Sequence, residues 1–337
     1  MLKSSLKKGA QMKPVLVTGA AGFIGLHVCE ALLLRGETVV GFDAMTSYND
    51  PKLKAKRLEI LKKHKKFIFV KGTIAKGSAF ADVVSRYEPR IIVHLAGQAG
   101  VRYSLVAPQS YIEANVLGST NVFESARVAG IPIVYASSSS IYGNREGTFK
   151  ETDRTDNPVS LYAATKKSLE VIAYTYHSLY GVPSIGLRFF TVYGPWIRTD
   201  LAFFTFTRLL SLGLTIPLFA EGKGSRSFTH ISYVVDGVLS SIDRIKEGAE
   251  IYNLGDERSV NTKVFLTMLA KELGVEAQIL LMPPQQGDVM KTRASSTKAK
   301  KELKVSPKVS LEDGVKEFVE WFTENKKFLL SLRDMHL

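Results

Sequence analysis

The stretch Lys13-Pro-Val-Leu-Val-Thr-Gly-Ala-Ala-Gly-Phe-Ile-Gly25 decides the fold of this chain. Its apolar residues 15–17 form a short run bounded by Pro14 and Gly19, which predicts a buried strand. Apolar side chains then recur with a helical period over Phe23–Leu34. The stretch therefore predicts a strand, a tight glycine turn and a helix.

The glycines of this turn follow the spacing G-x-x-G-x-x-G and not the commoner G-x-G-x-x-G. Such a turn exposes backbone N–H groups at a helix N-terminus, where the helix dipole favours a pyrophosphate. Glycine also lets the ligand and the packed helix approach closely. We therefore predict a dinucleotide site here. Its cofactor-binding residues are expected to be Gly19, Gly22, Phe23, Ile24 and Gly25.

An acid follows the next predicted strand. Residues 38–42 form this strand, and Asp43 ends it. A carboxylate about 20 residues after the glycine turn binds ribose hydroxyls in dinucleotide-binding folds. Because a carboxylate repels a 2′-phosphate and no Arg directly follows Asp43, we predict NAD and not NADP as the cofactor.

Further strands and helices alternate through the first half of the chain. Residues 67–70, 91–95 and 131–136 are short β-rich runs separated by helical stretches. This alternation predicts an α/β protein with a doubly wound parallel Rossmann sheet. A smaller mixed α/β C-terminal lobe should supply the substrate site.

We expect three regions along the chain. Residues 1–12 should be a basic disordered tail, and residues 13–188 a NAD-binding Rossmann domain. Residues 189–330 should form the substrate-binding lobe, interleaved with the first domain.

A serine run follows the predicted strand 131–136. Ser137-Ser138-Ser139-Ser140 comes directly after it, and ligands of parallel sheets bind beyond the carboxyl ends of the strands. We therefore expect hydroxyl groups in the site.

Tyr162 and Lys166 stand four residues apart on a predicted helix, so they share one face of it. A neighbouring ammonium favours the phenolate and should lower the pKa of Tyr162 from its reference value of about 10. The pair therefore predicts an acid/base group.

These motifs together resemble the extended short-chain dehydrogenase/reductase family, over residues 13–322. The resemblance rests on the glycine turn, the serine run before Tyr142-Gly143, the Tyr162 and Lys166 pair, and Leu187-Arg-Phe-Phe-Thr-Val-Tyr-Gly-Pro195. Within the family, Ala99-Gly-Val-Arg-Tyr-Ser104 is similar to the nucleotide-sugar 4-epimerases that act on UDP-glucuronic acid. The resemblance implies NAD-dependent conversion of UDP-glucuronate to UDP-galacturonate through a 4-keto sugar.

The same resemblance implies roles for the catalytic residues. Tyr162 would be the acid/base at the sugar 4-hydroxyl. Lys166 would hold the nicotinamide ribose and tune Tyr162, and Ser138 would assist the hydroxyl.

It also implies substrate contacts. Ser139, Ser140 and Thr191 are candidates for holding the substrate carboxylate, and related enzymes on neutral sugars commonly have Asn in place of Thr191. Arg226 resembles the diphosphate-binding arginine and suits two phosphate oxygens. The remaining expected contacts are Arg198 near the substrate and Asp288 near the uridine ribose.

Other functions stay open at this point. A UDP-glucuronate decarboxylase shares Tyr162, Lys166 and the first oxidation, and a 4-epimerase of UDP-glucose or a UDP-N-acetylhexosamine uses the same chemistry. A non-catalytic dinucleotide-binding protein with RNA as its partner would be marked by loss of the Tyr or the Lys, and both are present. Sugar 4,6-dehydratases of the family have Thr-Asp-Glu at Ser138-Ser139-Ser140, so dehydration is not expected.

The formal net charge of +13 is concentrated in two segments of the 337-residue chain. Residues 1–13 hold four lysines and no acid, and residues 50–71 hold nine basic residues against two acids. Residues 52–66 contain no Phe, Tyr or Trp on which bases could stack. We therefore predict a solvated basic surface and no nucleic-acid partner.

Partners, metals and compartment follow from the remaining residues. No apolar stretch approaches the ~20 residues that cross a bilayer, so no membrane partner is expected. The histidines show no metal-ligand spacing with Cys or acids, and no metal site is expected. Cys29 is the single cysteine, which indicates a reducing, cytoplasmic location. Apolar stripes on helices 111–129 and 161–180 predict a homodimer seam, as in the family.

Overall fold

The computed structural model describes residues 12–284 and 289–333. Within these residues the strands are β1 Val15–Thr18, β2 Val39–Asp43, β3 Phe67–Lys71, β4 Ile91–His94, β5 Ile133–Ser138, β6 Ser184–Phe189, β7 Thr191–Tyr193, β8 Ile216–Phe219, β9 Ser225–Arg226, β10 Phe228–His230, β11 Ala249–Leu254, β12 Val260–Asn261 and β13 Ile279–Met282.

The α-helices are α1 Phe23–Leu34, α2 Pro51–Lys62, α3 Gly77–Tyr87, α4 Tyr103–Val106, α5 Pro108–Tyr111, α6 Gly118–Ala129, α7 Leu161–Tyr180, α8 Ala202–Ser211, α9 Ile231–Arg244, α10 Thr262–Leu273, α11 Leu311–Glu324 and α12 Lys326–Leu330. Short π-helical segments at Ile112–Leu117 and Ala299–Leu303 and 3₁₀ turns at Ser139–Tyr142 and Ala220–Gly222 complete the regular structure.

The central sheet has seven parallel strands in the order β11-β6-β5-β4-β1-β2-β3. This arrangement confirms the predicted doubly wound α/β fold. The strand order reverses between β1 and β4, and open sheets of this kind bind ligands beyond the strand ends at such a point. The five strands predicted from apolar runs correspond to β1 to β5.

Both faces of the sheet are covered by helices, which explains why its strands read as continuous apolar runs. Val15 and Val17 pack into one core with α1 and α9, and Leu16 packs into a second core with α3, α6 and α7. Successive side chains of a strand point to opposite faces, so β1 serves both cores.

Smaller sheets lie in the second half of the chain. β7 pairs with β10 and β8 with β13 in parallel, and β9 pairs with β12 antiparallel. A packed group of aromatic rings holds α8, α10 and α11 together through Phe203, Phe265 and Phe318. β11, from the second half of the chain, pairs with β6 in the central sheet. The predicted division of the chain at residue 188 stays a prediction. Residues 1–11 of the predicted tail lie outside the described residues.

None of the described helices is both long enough and apolar enough to span a membrane.

Candidate active site

A cleft of about 460 Å³ opens beyond the carboxyl ends of the central strands. The structure brings the predicted site residues together along its walls. They are Gly19, Gly22, Phe23, Ile24, Gly25, Asp43, Ser138, Ser139, Ser140, Tyr162, Lys166, Thr191, Arg198 and Arg226. Asp288, the remaining predicted contact, lies outside the described residues.

The glycine turn connects β1 to α1 with no room for side chains. Gly19 has a φ of +73°, and a Cβ built there would lie 2.8 Å from the backbone nitrogen of Ala96. A Cβ on Gly25 would lie 2.0 Å from the carbonyl oxygen of Gly19. Gly22 is the N-cap of α1 and has no side chain that could cap the helix. The backbone N–H groups of the first turn therefore receive no hydrogen bond acceptor from an N-cap side chain. This cradle fits an anionic pyrophosphate.

Asp43 ends β2 beside this turn. Its Oδ2 accepts a hydrogen bond from the backbone N–H of Ala21 at 3.1 Å, and its Oδ1 accepts one from Met45 at 2.7 Å. The Lys54 ammonium lies 3.6 Å from Oδ1. The carboxylate therefore braces the glycine turn as well as lining the cleft. Sequence reasoning missed Lys54, because its approach to Asp43 depends on how α2 packs.

The predicted catalytic pair, Tyr162 and Lys166, lies at the start of α7. Ser160 caps this helix by accepting a hydrogen bond from the backbone N–H of Ala163 at 3.2 Å. One turn separates Tyr162 from Lys166, whose Nζ donates to the carbonyl oxygen of Ala136 at 3.0 Å. Burial lowers the pKa of Lys166 to about 8. Both side chains line the same cleft.

The expected direction of the Tyr162 pKa shift is wrong for this structure. Burial of the phenol raises its pKa, because the charged phenolate loses hydration there. The Ser138 hydroxyl and the Arg198 guanidinium act in the opposite direction without outweighing burial. The four-residue spacing indicated that Lys166 lies near Tyr162, but it carried no information on how strongly burial desolvates the phenol.

Asn115 is a buried residue beside the cleft that the sequence analysis missed. It lies in the π-helical segment Ile112–Leu117, and π-helical turns often occur at functional sites. Its side-chain oxygen accepts from the backbone N–H of Gln98 at 2.7 Å, and its amide donates to Thr165 Oγ1 at 3.0 Å. Asn115 thus joins the loop after β4 to the residue before Lys166.

A buried ion pair lies beneath the serine run. Arg188 donates from Nε and Nη2 to the two carboxylate oxygens of Glu170, both at 2.9 Å. Ser137 Oγ donates to the same carboxylate at 2.6 Å. This network connects β5, β6 and α7, one helical turn beyond Lys166.

The wall of the cleft that carries the predicted substrate contacts has hydroxyl groups and two arginines. Ser139 and Ser140 lie in the 3₁₀ turn after β5, and Thr191 begins β7. Arg198 donates from Nε to Asp200 Oδ1 at 2.9 Å and from Nη2 to Oδ2. Burial alone would raise the pKa of Asp200, but Arg198 holds it below its ordinary value.

Arg226 donates from Nη1 to the carbonyl oxygen of Met290 at 3.1 Å. Within residues 12–284 and 289–333, no cluster of three or more His, Cys, Asp or Glu could hold a metal ion.

The chain is similar to known nucleotide-sugar enzymes in sequence and structure. It is 46% identical over 324 residues to an uncharacterized protein of Methanocaldococcus jannaschii, covering 95% of this chain and 99% of the relative. It is 41% identical over 330 residues to a probable UDP-glucuronate 4-epimerase of Rhizobium meliloti, covering 92% and 97%.

A solved structure of UDP-glucuronic acid 4-epimerase from Bacillus cereus, in complex with UDP-glucuronic acid and NAD, superposes with a TM-score of 0.88 at 30% identity. The match covers 92% of this chain and 99% of that one. The model of the NAD dependent epimerase/dehydratase family matches residues 15–255, and this chain belongs to that family.

Proposed function

We propose that the protein is a NAD-dependent UDP-sugar 4-epimerase that interconverts UDP-glucuronate and UDP-galacturonate. The observation that carries this proposal is the convergence of the glycine turn, the Tyr162 and Lys166 pair, and the hydroxyls of Ser138 to Ser140 on one cleft. The similarity to UDP-glucuronate 4-epimerases supports the choice of substrate.

NAD would be held by residues that suit its charges and hydroxyls. The N–H groups of the glycine turn suit the pyrophosphate, Asp43 suits a ribose, and Lys166 suits the nicotinamide ribose. When bound, NAD would supply the acceptor and then the donor for the hydride of sugar C4, so the reaction would have no net oxidation.

Tyr162 handles the proton of the reaction. It takes the 4-hydroxyl proton as the hydride leaves C4, which gives a 4-keto sugar. After the sugar ring turns over, Tyr162 returns the proton to the ketone oxygen. The Ser138 hydroxyl and the Arg198 guanidinium oppose the rise in the Tyr162 pKa that burial causes, since both favour the phenolate.

The substrate carboxylate requires separate control. Oxidation at C4 makes a β-keto acid, which loses carbon dioxide when the bond between C5 and the carboxylate overlaps the π orbitals of the ketone. Hydroxyl donors from Ser139, Ser140 and Thr191 would hold the carboxylate where that bond does not overlap them. Arg198 already donates two hydrogen bonds to Asp200. The hydroxyl groups are therefore better suited than this arginine to bind the substrate carboxylate.

Product analysis tests the proposal directly. The purified protein is incubated with UDP-glucuronate, and the products are identified by proton NMR. A hexuronate inverted at C4 is the expected result. A UDP-pentose would instead identify a decarboxylase, and turnover confined to UDP-glucose or UDP-N-acetylhexosamine would identify an epimerase of neutral sugars. No turnover, with salt-sensitive RNA binding, would identify a non-catalytic protein.

We also propose that the protein is a homodimer. The outer faces of α7 and of the π-helical segment before α6 expose apolar side chains. They include Ile112, Leu117, Val171 and Tyr174, of which Tyr174 is 66% exposed. Exposed apolar patches of this kind mark association surfaces, and two such helix pairs can form a four-helix seam.

A cytoplasmic location is the remaining part of the proposal. Cys29 is fully buried in α1, and burial raises the pKa of its thiol, so the residue acts as apolar filler. Such a chain needs no oxidising compartment, which supports a reducing one.

A further inference from the structure

Arg57 is a buried cation that the proposed chemistry leaves without a role. It lies on α2, is 1% exposed, and lines the cleft. Its guanidinium donates to three backbone carbonyl oxygens. Nε and Nη2 donate to Trp196 at 3.1 and 2.6 Å, Nη2 to Ile197 at 3.1 Å, and Nη1 to Ala21 at 3.3 Å.

These acceptors belong to both functional walls of the cleft. Ala21 lies inside the glycine turn, between Gly19 and Gly22. Trp196 and Ile197 directly precede Arg198 on the substrate side. We name residues 195–200 the crossing segment. Arg57 is therefore one side chain that joins the cofactor turn to the crossing segment.

Two other side chains from the cofactor half also hold the crossing segment. His27 on α1 makes a 2.9 Å contact with the carbonyl oxygen of Pro195, and Tyr48 donates to Asp200 Oδ2 at 3.1 Å. The two carbonyl oxygens of the segment that accept from Arg57 lie between these two contacts along the chain. The position of Arg198 thus depends on elements that surround the cofactor turn.

The backbone at Trp196 explains why these bonds matter. Its φ is +62°, a left-handed conformation that a side chain other than glycine rarely adopts. Such a conformation persists only where the surroundings hold it. The two hydrogen bonds from Arg57 end on the carbonyl oxygen of this residue.

The charge of Arg57 has no close counter-charge in the described part of the chain, where it forms no ion pair. Asp43 and Asp200 attract it only from a distance, and Arg198 repels it. Burial lowers its pKa to about 9. A buried cation is costly unless an anion compensates it. The anion that fits the adjoining glycine turn is a dinucleotide pyrophosphate.

We propose that Arg57 is a positioning residue that couples NAD binding to the substrate side: its charge favours the pyrophosphate at the glycine turn, while its hydrogen bonds fix the crossing segment and hence Arg198. This inference rests on the proposed function only in assigning NAD to the turn and a UDP-sugar to the wall beyond it. It predicts that one substitution at Arg57 weakens the binding of both NAD and the UDP-sugar, although the two ligands contact different walls of the cleft.

Two substitutions separate the charge of Arg57 from its hydrogen-bonding fork. Arg57→Met removes both, and Arg57→Lys keeps the charge without the fork. Lys56→Met is the matched control, because it removes a charge from the adjacent, exposed position of the same helix. Circular dichroism and thermal unfolding establish that each variant is folded.

Two measurements decide the proposal. Released nucleotide is quantified after purification, and the affinity of stripped protein for added NAD is measured by calorimetry. We expect Arg57→Met to lower NAD affinity about tenfold or more, and Arg57→Lys to remain within about threefold of wild type. At saturating NAD, both variants should raise the KM for UDP-glucuronate, and Lys56→Met should change neither quantity.

A folded Arg57→Met variant with wild-type NAD affinity would overturn the proposal. If that variant does not fold, Arg57→Lys decides, since an unchanged KM for UDP-glucuronate would remove the positioning role. Wild-type protein that binds NAD but does not epimerise would contradict the proposed function alone, because the NAD affinities of the variants would still test Arg57.

Discussion

Lys166 donates a hydrogen bond from Nζ to the carbonyl oxygen of Ala136, over 3.0 Å. This bond joins α7 to β5 two residues before Ser138. The ammonium is enclosed by the protein, and its pKa falls from 10.5 to about 8 as a result. Lys166 therefore loses its charge at a lower pH than an exposed lysine does.

The first prediction concerns this titration. Lys166 is charged below its lowered pKa and neutral above it, so the support that we propose its charge gives the Tyr162 phenolate is lost as pH rises through about 8. We expect kcat/KM to decline on the alkaline side with an apparent pKa near that value, measured between about pH 6 and 10. Lys166→Arg keeps the charge, and its residual activity should show no such decline. A profile shared by both proteins would contradict this assignment.

The second prediction concerns Tyr162. Tyr162→Phe removes the group that carries the proton, and we expect kcat to fall by about 10²- to 10⁴-fold. NAD content should stay within about twofold of wild type, because the phenol is assigned to the sugar hydroxyl and not to the cofactor. Tyr176→Phe, on the same helix, is the control. Undiminished turnover by Tyr162→Phe would end the proposed mechanism.

The third prediction concerns the ion pair beneath the site. Glu170→Gln leaves the buried Arg188 guanidinium without its carboxylate, and we expect a loss of about 3–5 kcal/mol in the free energy of unfolding. Urea denaturation followed by circular dichroism measures this loss. Glu124→Gln breaks the exposed pair with Arg127 and should leave the unfolding curve nearly unchanged. Equal losses from Glu170→Gln and Glu124→Gln would show that burial of the pair between Glu170 and Arg188 adds nothing to the free energy of unfolding.

Local features of the sequence predicted the main elements well. The β1 strand could be read from residues 15–17 because a strand covered on both faces is apolar throughout. The glycine turn could be predicted because its backbone segments approach too closely to admit a Cβ, which requires glycine. The four-residue spacing of Tyr162 and Lys166 placed both on one helix face.

Features that depend on packing between distant segments were not predictable. Asn115 holds the loop after β4 from a π-helical turn, which has no clear sequence signal. Arg57 looked like one more charge in a basic helix, because its acceptors lie 36 to 140 residues away along the chain. The pKa direction of Tyr162 required knowledge of its burial, which spacing does not contain.

The fourth prediction concerns the proposed dimer. Val171 and Tyr174 are exposed on α7, at positions 53% and 66% accessible in the single chain. A charge placed there would be buried on association, so we expect Val171→Glu to shift sedimentation from the dimer to the monomer. Val264→Glu alters an exposed apolar residue on α10, outside the proposed seam, and serves as a comparison. A monomeric wild-type protein at micromolar concentration would contradict the proposal.

The fifth prediction concerns Thr191 and the fate of the substrate carboxylate. Thr191→Val preserves the shape of the side chain and removes its hydroxyl, so one hydrogen bond to the carboxylate is lost. The carboxylate of the β-keto acid can then move to a position in which its bond to C5 overlaps the π orbitals of the ketone, and this overlap releases carbon dioxide. We expect the ratio of pentose to hexuronate products to rise about tenfold, since one lost hydrogen bond to a charged group corresponds to roughly that factor.

NMR of the product mixture measures the ratio, and total turnover is recorded separately. Thr191→Ser retains the hydroxyl and is the matched control, with a ratio close to that of wild type. If Thr191→Val and Thr191→Ser gave the same product ratio, the hydroxyl would not orient the carboxylate. The task would then fall to Ser139 and Ser140, which line the same part of the cleft.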